Sequence, residues 1–175
     1  MKKILLTALV AVSALAANAQ VWVGGSIGYN HYDIDGIKAT KVDHFEIAPE
    51  VGYALSDKVD LAIKLAFTSD KTGGADAVTG FQVNPYVRYT FFQTGAVGFF
   101  LDGGFSVATS SVDGSKAQFG IGVAPGVKFA ASDKVSFVAR LGGLGYRMNE
   151  GNVDKAKRYG VDLNNNISFG LYYNF

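Results

Sequence analysis

The sequence predicts an all-β fold: an eight-stranded antiparallel up-and-down transmembrane β-barrel. Three observations lead to it. An apolar export segment opens the chain, eight segments of period-two hydrophobicity follow, and the last of them ends on an aromatic residue, Phe175. In residues 167–175 every second residue is large and apolar, which is typical of a strand with one apolar and one polar face. A membrane barrel has no free edge, so its last strand has to be a full member of the wall.

The first residues indicate export from the cytoplasm. Lys2 and Lys3 precede an apolar run, and a small-x-small pattern ends at Ala19. This is typical of a secretory signal peptide over 1–19, leaving one domain over 20–175. The run is shorter than the roughly 20 residues that a membrane-spanning helix needs. Because the sequence contains no cysteine, it has neither a cysteine that could carry a lipid nor a disulfide.

Composition and charge exclude several classes of function. Without the two signal-peptide lysines, 14 of the 16 basic residues remain against 15 acidic ones, a formal charge of −1. The sequence has neither a basic patch nor a zinc-ligand spacing, so nothing in it indicates nucleic-acid binding. The 22 glycines, 13 phenylalanines and 9 tyrosines favour an all-β chain with many turns.

The eight predicted strands are joined by alternately short and long connections. Their approximate limits are 21–30, 44–55, 59–68, 81–92, 97–108, 118–130, 135–146 and 160–175. The short connections centre on 56–58, 94–96 and 132–134, and the long ones cover about 31–43, 69–80, 109–117 and 147–159. Short turns on one rim and longer loops on the other are characteristic of bacterial outer-membrane barrels with an even number of strands.

An internal repeat supports the hairpins. Residues 49–59 align with residues 125–135, and the middle hairpin repeats the start of the motif at Pro85. The long loops differ too much in length for a solenoid of stacked equal repeats.

The two faces of the strands predict which side meets lipid. Across the segments, one face holds Val, Ile, Leu, Phe and Tyr without a single charged residue, although charged residues make up 18% of the chain. The other face is rich in Gly, Ala and Ser, which suit the crowded inside of a narrow barrel. A soluble lipocalin-like carrier would reverse this arrangement and carry more long charged side chains outside. Aromatic residues gather near both ends of the apolar face, as in the interfacial girdles of membrane barrels.

On these features the chain resembles the OmpA/OmpX-like family of small eight-stranded outer-membrane β-barrels, in its stand-alone form. The resemblance covers the whole of 20–175 and includes segment 81–89 and the terminal Tyr173-Asn174-Phe175. It implies that Tyr173 and Phe175 form part of the signal read by the outer-membrane assembly machinery. Unlike full-length OmpA-type proteins, the chain is expected to lack a peptidoglycan-binding domain.

Charged residues on the inner face are predicted to form a lumen network. The set is Glu46, Glu50, Asp60, Lys64, Arg88, Asp102, Lys128, Arg140 and Asp162, with His44 near the loop rim. If the short turns are three-residue loops, Glu50 falls opposite Lys64, and Arg88 opposite Asp102. Pairing is expected because an unpaired buried charge is costly. An ionic plug is the main interpretation, and a narrow gated ion path is the alternative.

Enzymatic and metal sites find little support in the sequence. The two histidines, His31 and His44, both lie by the first long loop, and neither has a Ser at a recognisable spacing. Asp33, Asp35 and Asp43 are read as a polar loop instead of a metal site. Trp22 is ambiguous, since simple alternation places it inward, whereas a bulge at Gly24-Gly25 would turn it towards lipid.

The sequence therefore predicts a non-enzymatic, monomeric protein of the cell outer membrane, without a cofactor. Its expected partners are outer-membrane lipid and lipopolysaccharide, the assembly machinery, and a surface ligand of the long loops. Envelope integrity and loop presentation, in adhesion or host-factor binding, form the main functional hypothesis. A small gated ion channel is the alternative from another class, and a lipocalin-like carrier is a third.

Overall fold

The computed structural model describes residues 21–32, 42–72, 76–111, 117–149 and 157–175. Eight strands account for nearly all of them. They are β1 (Val21–Tyr32), β2 (Val42–Ser56), β3 (Val59–Thr72), β4 (Val78–Thr94), β5 (Val97–Ser110), β6 (Gln118–Ala130), β7 (Val135–Asn149) and β8 (Lys157–Asn174). The predicted signal peptide, 1–19, lies outside the described residues.

The strands form one closed barrel in sequence order, from β1 to β8 and back to β1, with every neighbouring pair antiparallel. The predicted fold class is confirmed, and each predicted segment coincides with a strand. The strands run further towards the long-loop rim than predicted: β3 continues to Thr72 and β4 starts at Val78. Polar residues such as Asp70 and Lys71 indicated a loop, but they lie in a strand that extends beyond the apolar segment.

Two of the three short turns contain two residues instead of the predicted three. Asp57 and Lys58 form the β2–β3 turn, and Gly95 and Ala96 form the β4–β5 turn. Gly95 has φ 52°, in the left-handed region that two-residue hairpin turns require. A register shift between Ala54 and Ser56 offsets the shorter turn. The predicted cross-strand neighbours therefore still face each other.

The apolar face points outward and is exposed, as a lipid-facing surface requires. Ile63 in β3 and Leu101 in β5 are 36% and 41% exposed. Phe105 and Phe137 have more than half of their surface exposed. The lipocalin-like alternative was wrong, because its apolar side chains would line the inside. Among the described residues, a buried apolar cluster inside the barrel consists of Trp22, Ala62, Tyr86, Phe100, Val138 and Tyr172.

Four large aromatic residues of the inner face each lie opposite a glycine of the next strand. The cross-strand pairs are Trp22–Gly52, Tyr86–Gly104, Phe100–Gly126 and Tyr172–Gly24. A Cβ atom built at any of these glycines would fall within 3 Å of the facing aromatic ring or its Cβ atom. The small inner residues predicted from the sequence therefore make room for the aromatic rings, an arrangement known as aromatic rescue of glycine.

Trp22 follows simple alternation and points inward. It is 4% exposed and packs edge-on against Tyr172, with ring centroids 4.9 Å apart. The register between β1 and β2 is unbroken from Val21 to Tyr32, so there is no bulge at Gly24-Gly25. The bulged alternative was wrong because Gly52, the cross-strand partner of Trp22, leaves room for the indole inside the barrel.

Candidate functional site: an ionic cluster across the lumen

Four charged side chains meet inside the barrel: Glu50 of β2, Arg88 of β4, Asp102 of β5 and Arg140 of β7. All are buried, with exposures between 2% and 8%. Each lies on the inner face of its strand, and together they reach across the lumen. Two carboxylates and two guanidinium groups give the set no net charge. We call these four residues the ionic cluster.

Arg140 links the two carboxylates of the ionic cluster. Its Nη1 and Nη2 donate to Oε1 and Oε2 of Glu50 at 2.9 and 2.7 Å, and its Nε donates to Oδ2 of Asp102 at 2.8 Å. Arg88 donates to both oxygens of the same Asp102, from Nε to Oδ1 at 2.7 Å and from Nη2 to Oδ2 at 2.8 Å. Such charge-assisted, two-point contacts are the strongest hydrogen bonds that side chains make. The cluster is a continuous chain from Glu50 through Arg140 and Asp102 to Arg88.

Aromatic side chains complete the closure of the lumen. The Tyr86 hydroxyl donates to Oε2 of Glu50 at 2.5 Å and accepts from Nη2 of Arg140 at 3.1 Å. The Arg88 guanidinium lies 4.0 Å from the Phe100 ring centroid and 5.5–5.7 Å from those of Trp22, Tyr86 and Tyr172. Stacking of this kind stabilises a desolvated arginine. The ionic cluster therefore rests on a layer of rings towards the short-turn rim.

One of the two predicted ion pairs was wrong. Arg88 and Asp102 are cross-strand neighbours and form an ion pair at 2.7 Å. Glu50 and Lys64 are also cross-strand neighbours, but Glu50 pairs with Arg140 at 2.7 Å. Lys64 reaches Glu46 at 3.7 Å. Hairpin register relates only adjacent strands, whereas the long Arg140 side chain crosses the lumen from β7, 90 residues away in sequence.

The remaining predicted lumen residues are more loosely placed. Asp60 and Lys128 are half-buried on the inner face and attract each other electrostatically, and Asp60 also attracts Arg88. Asp162 is the backbone partner of Gly143, and its side chain lies outside the described residues. The lumen assignment thus divides into the tightly bonded ionic cluster and peripheral charges on either side of it.

Above the ionic cluster, towards the long loops, the lumen is open. A cavity of about 900 Å³ has Tyr86, Asp102 and Arg140 in its lining and reaches Val78, Ser110 and Gln118 at the strand ends. Its walls are mostly polar; they include His44, Glu46, Lys64, Asp70, Gln82, Asn84 and Ser106. We call this cavity the vestibule. Sequence reasoning missed it, because it treated the inner charges as one plug.

The histidine predicted near the loop rim lies in the vestibule wall. His44 Nδ1 is 2.5 Å from Asp70 Oδ1, between cross-strand neighbours of β2 and β3. The side chain of His31 and all of Asp33 and Asp35 lie outside the described residues, while Asp43 accepts a hydrogen bond from the Tyr29 hydroxyl at 3.0 Å. Within the described ranges, no group of three His, Cys, Asp or Glu residues is arranged to hold a metal ion.

The predicted assembly residues lie at the short-turn rim. The Tyr173 and Phe175 rings pack edge-on with centroids 5.3 Å apart, and both are exposed. The Phe175 amide donates to the Val21 carbonyl at 3.2 Å, which ties the last residue to the first strand. Lys134 approaches the Tyr173 hydroxyl at 3.4 Å.

A closed barrel with an apolar exterior and a charged interior is an integral membrane barrel. The family model for the outer membrane protein beta-barrel domain matches residues 4–175. The chain therefore belongs to this family and is an outer-membrane β-barrel protein. In the part of the chain that the structure describes, no helix is long and apolar enough to cross a membrane.

A solved structure, that of Neisserial surface protein A, has a similar fold. Neisserial surface protein A (NspA) aligns with a TM-score of 0.61 at 20% identity, over 89% of this chain and 97% of NspA. A de novo designed transmembrane β-barrel aligns with a TM-score of 0.43 at 11% identity, over 90% and 96% of the two chains. OmpT of Vibrio cholerae aligns with a TM-score of 0.37 at 12% identity, over 89% of this chain and 52% of OmpT. No curated protein matches the sequence.

Proposed function

We propose that this protein is a non-enzymatic outer-membrane barrel with a sealed lumen, which contributes to envelope integrity and presents its long loops at the cell surface. The observation that carries the sealing is the ionic cluster, in which two carboxylates and two arginines bond to one another across the lumen. A solute would have to separate buried ion pairs and leave charges unpaired in a region of low dielectric, which is strongly unfavourable.

Conductance in planar bilayers tests the seal. The purified barrel is expected to give no large, steady, porin-like conductance, and at most small flickering events. The interior of an eight-stranded barrel is just wide enough for side chains to fill, and here rings and ion pairs fill the half next to the short turns. A wide and steady channel in the unmodified protein would contradict the seal.

The alternative function is a gated ion path, and the vestibule favours it. This polar cavity opens the loop side of the route, so the ionic cluster and the aromatic rings beneath it separate the vestibule from the opposite rim. Arg140→Ala removes the link between Glu50 and Asp102 and should convert a sealed barrel into a leaky one. If the unmodified protein opens and closes with voltage while Arg140→Ala stays open, the ionic cluster is a gate and not a permanent plug.

Surface presentation is proposed from the uneven connections. The segments that join β1 to β2, β3 to β4, β5 to β6 and β7 to β8 are all longer than the three turns at the opposite rim. Loops carried on a rigid scaffold are where binding specificity usually resides. Replacing residues 33–41 with a short Gly/Ser linker should abolish binding of a surface ligand without unfolding the barrel. Retained binding after all four loops are replaced would contradict this role.

Export and assembly are proposed from the two ends of the chain. Residues 1–19 act as the signal peptide, Tyr173 and Phe175 form part of the signal for the assembly machinery, and the folded barrel is a monomer among phospholipid and lipopolysaccharide. The bond between Phe175 and Val21 supports a role in closing the barrel. Deleting Phe175 should lower the amount of heat-modifiable barrel in the outer membrane and leave unfolded chain in the periplasm. Normal assembly of the shortened chain would contradict the assembly signal.

A further inference from the structure

The wall of the vestibule has a charged part, on β2 and β3, whose side chains are already paired. His44 lies against Asp70, and Lys64 approaches Glu46 at 3.7 Å. At the floor, the carboxylates and guanidinium groups of the ionic cluster bond to one another and carry no net charge. Among the described residues, this part of the wall therefore offers no uncompensated charge to a ligand.

The uncharged part of the wall lies on β4, β5 and β6. Gln82, Ser106 and Gln118 line the vestibule there, on the inner face of their strands, and all three are half-buried. Within the described ranges, none of these three side chains has a hydrogen-bond partner. An amide group and a hydroxyl group both donate and accept hydrogen bonds. The three side chains therefore remain available to water or to a ligand.

Strand register brings the two amide groups to the same level of the barrel. Gln82 and Gln118 are both cross-strand neighbours of Ala108, one on each side of it. Adjacent strands lie about 4.8 Å apart, so the Cα atoms of the two glutamines are separated by about 10 Å. The small Ala108 side chain leaves the gap between them open, and Ser106 lies one inner position deeper on the same strand. Two long amide side chains can therefore converge on a ligand held between them.

Below the two glutamines, glycines keep the wall free of side chains and make room for the ligand. Gly104, Gly122 and Gly145 are cross-strand neighbours in one row across β5, β6 and β7, and all three line the vestibule. A Cβ atom built at Gly122 would lie 2.8 Å from the Leu144 carbonyl oxygen. A glycine in a strand often marks a place where a backbone or a ligand approaches closely. The space beside the amide groups is therefore bounded by bare backbone.

The charge and polarity of this wall select the chemical class of the ligand. An anion or a cation would have to separate an existing pair before it gained a partner of its own. An apolar molecule would cover the amide groups without replacing their hydrogen bonds to water, which is unfavourable. A neutral molecule with several hydroxyl groups avoids both costs, because each hydroxyl donates and accepts. A cavity of about 900 Å³ is within the size range of small-molecule sites.

We propose that the vestibule binds a neutral saccharide, with one sugar ring held between the amide groups of Gln82 and Gln118 and a ring hydroxyl bonded to Ser106. The saccharide enters from the long-loop rim, where the vestibule reaches Ser110 and Gln118. The site goes beyond loop presentation, because its residues belong to the barrel wall, and it does not require a sealed lumen. Free glycans and the sugars of lipopolysaccharide share this chemistry, and the experiment distinguishes these two sources.

Saturation-transfer NMR on the barrel in lipid nanodiscs tests the site, with empty nanodiscs as background. The neutral probes are the methyl glycosides of glucose, galactose and N-acetylglucosamine. The charged probes are glucose 6-phosphate and 6-amino-6-deoxyglucose. At least one neutral glycoside should give a signal that is about threefold or more above that of either charged sugar, since occupancy follows affinity. Equal signals from neutral and charged sugars, or no signal from any neutral glycoside, would overturn the proposal.

Gln82→Ala with Gln118→Ala tests the two amide groups. Neither side chain has a described partner, so the double variant should fold, as checked by its heat-modifiable migration. The signal of the bound glycoside should fall about tenfold, as expected when two neutral hydrogen bonds are lost. Gln93→Ala is the matched control, because it removes the same group from β4 at the opposite rim, and it should stay within about twofold of the unmodified protein. An undiminished signal in the folded double variant would overturn the site.

A second variant keeps both amide groups and blocks the space between them. Ala108→Leu should lower the glycoside signal as the double variant does, and full binding by Ala108→Leu would place the sugar elsewhere and overturn the site. Nanodiscs with and without lipopolysaccharide identify the source of the saccharide. Loss of the signal in the presence of lipopolysaccharide assigns the site to its sugars, and an unchanged signal assigns it to an external glycan. Conductance in planar bilayers reports on the seal separately, so the two proposals fail independently.

Discussion

The two halves of the lumen are built on the same eight strands, yet one is filled and the other is open. Towards the short turns, four aromatic rings lie opposite glycines and support the ionic cluster. Towards the long loops, small and polar inner residues surround a vestibule of about 900 Å³. The comparison shows that strand number sets the maximum bore of a barrel, whereas the size and pairing of inner side chains decide how much of it remains open.

The largest effect is expected from breaking the filled half at Arg140. Arg140→Ala removes three hydrogen bonds to Glu50 and Asp102 and leaves the buried Glu50 carboxylate without its ion-pair partner. Removing one partner of a buried ion pair typically costs about 3–5 kcal/mol. Urea unfolding in lipid vesicles, followed by the fluorescence of Trp22, measures the loss. A change below about 1 kcal/mol would mean that the ionic cluster is solvated.

Charged substitutions on the outward face should destabilise the barrel similarly beside both halves of the lumen, because this face contacts lipid throughout. Ile63→Arg or Leu101→Arg places a charge in the apolar band and should destabilise the barrel by about 2–4 kcal/mol. Thr72→Arg, at the loop end of β3, is the control and should have much less effect. Equal tolerance at Ile63 and Thr72, measured by the same unfolding titration, would contradict the orientation of the strands in the membrane.

A smaller loss of stability is expected when a glycine that faces an aromatic ring is replaced by a larger residue. In Gly126→Val, the new Cβ would overlap the Phe100 ring and lie 2.7 Å from the Ala139 carbonyl oxygen. Such overpacking typically costs about 1–3 kcal/mol. Gly28→Val in the open half places its Cβ in ordinary contact with the Glu46 Cβ, at 3.6 Å, and should be close to neutral. If both substitutions destabilise equally, the two halves are packed to the same density.

The smallest effect is expected at Lys64, in the vestibule wall. Lys64→Ala removes a partly exposed pair with Glu46, and such pairs contribute about 0–1 kcal/mol. Had Lys64 been the ionic partner of Glu50, the loss would equal that of Arg140→Ala. The ratio of the two losses therefore measures directly which basic residue neutralises Glu50.

The local features of the fold could be predicted from sequence because they depend on neighbours along the chain. Alternation in 59–68 identifies the lipid face of β3, and short turns join each strand to the next. This reasoning also placed Arg88 opposite Asp102, since hairpin register follows from turn geometry. It placed Trp22 inward by alternation alone, and the doubt about a bulge at Gly24-Gly25 came from treating tryptophan as an interfacial residue.

Only the tertiary structure decided which groups meet across the lumen. Arg140 pairs with Glu50 because barrel closure brings β7 and β2 face to face, and the separation of 90 residues leaves no periodic trace in the sequence. The vestibule likewise depends on the closed barrel, since its walls include residues of both β1 and β8, at opposite ends of the chain. Alternation and turn spacing, set by local backbone geometry, determined the barrel, while closure determined its interior.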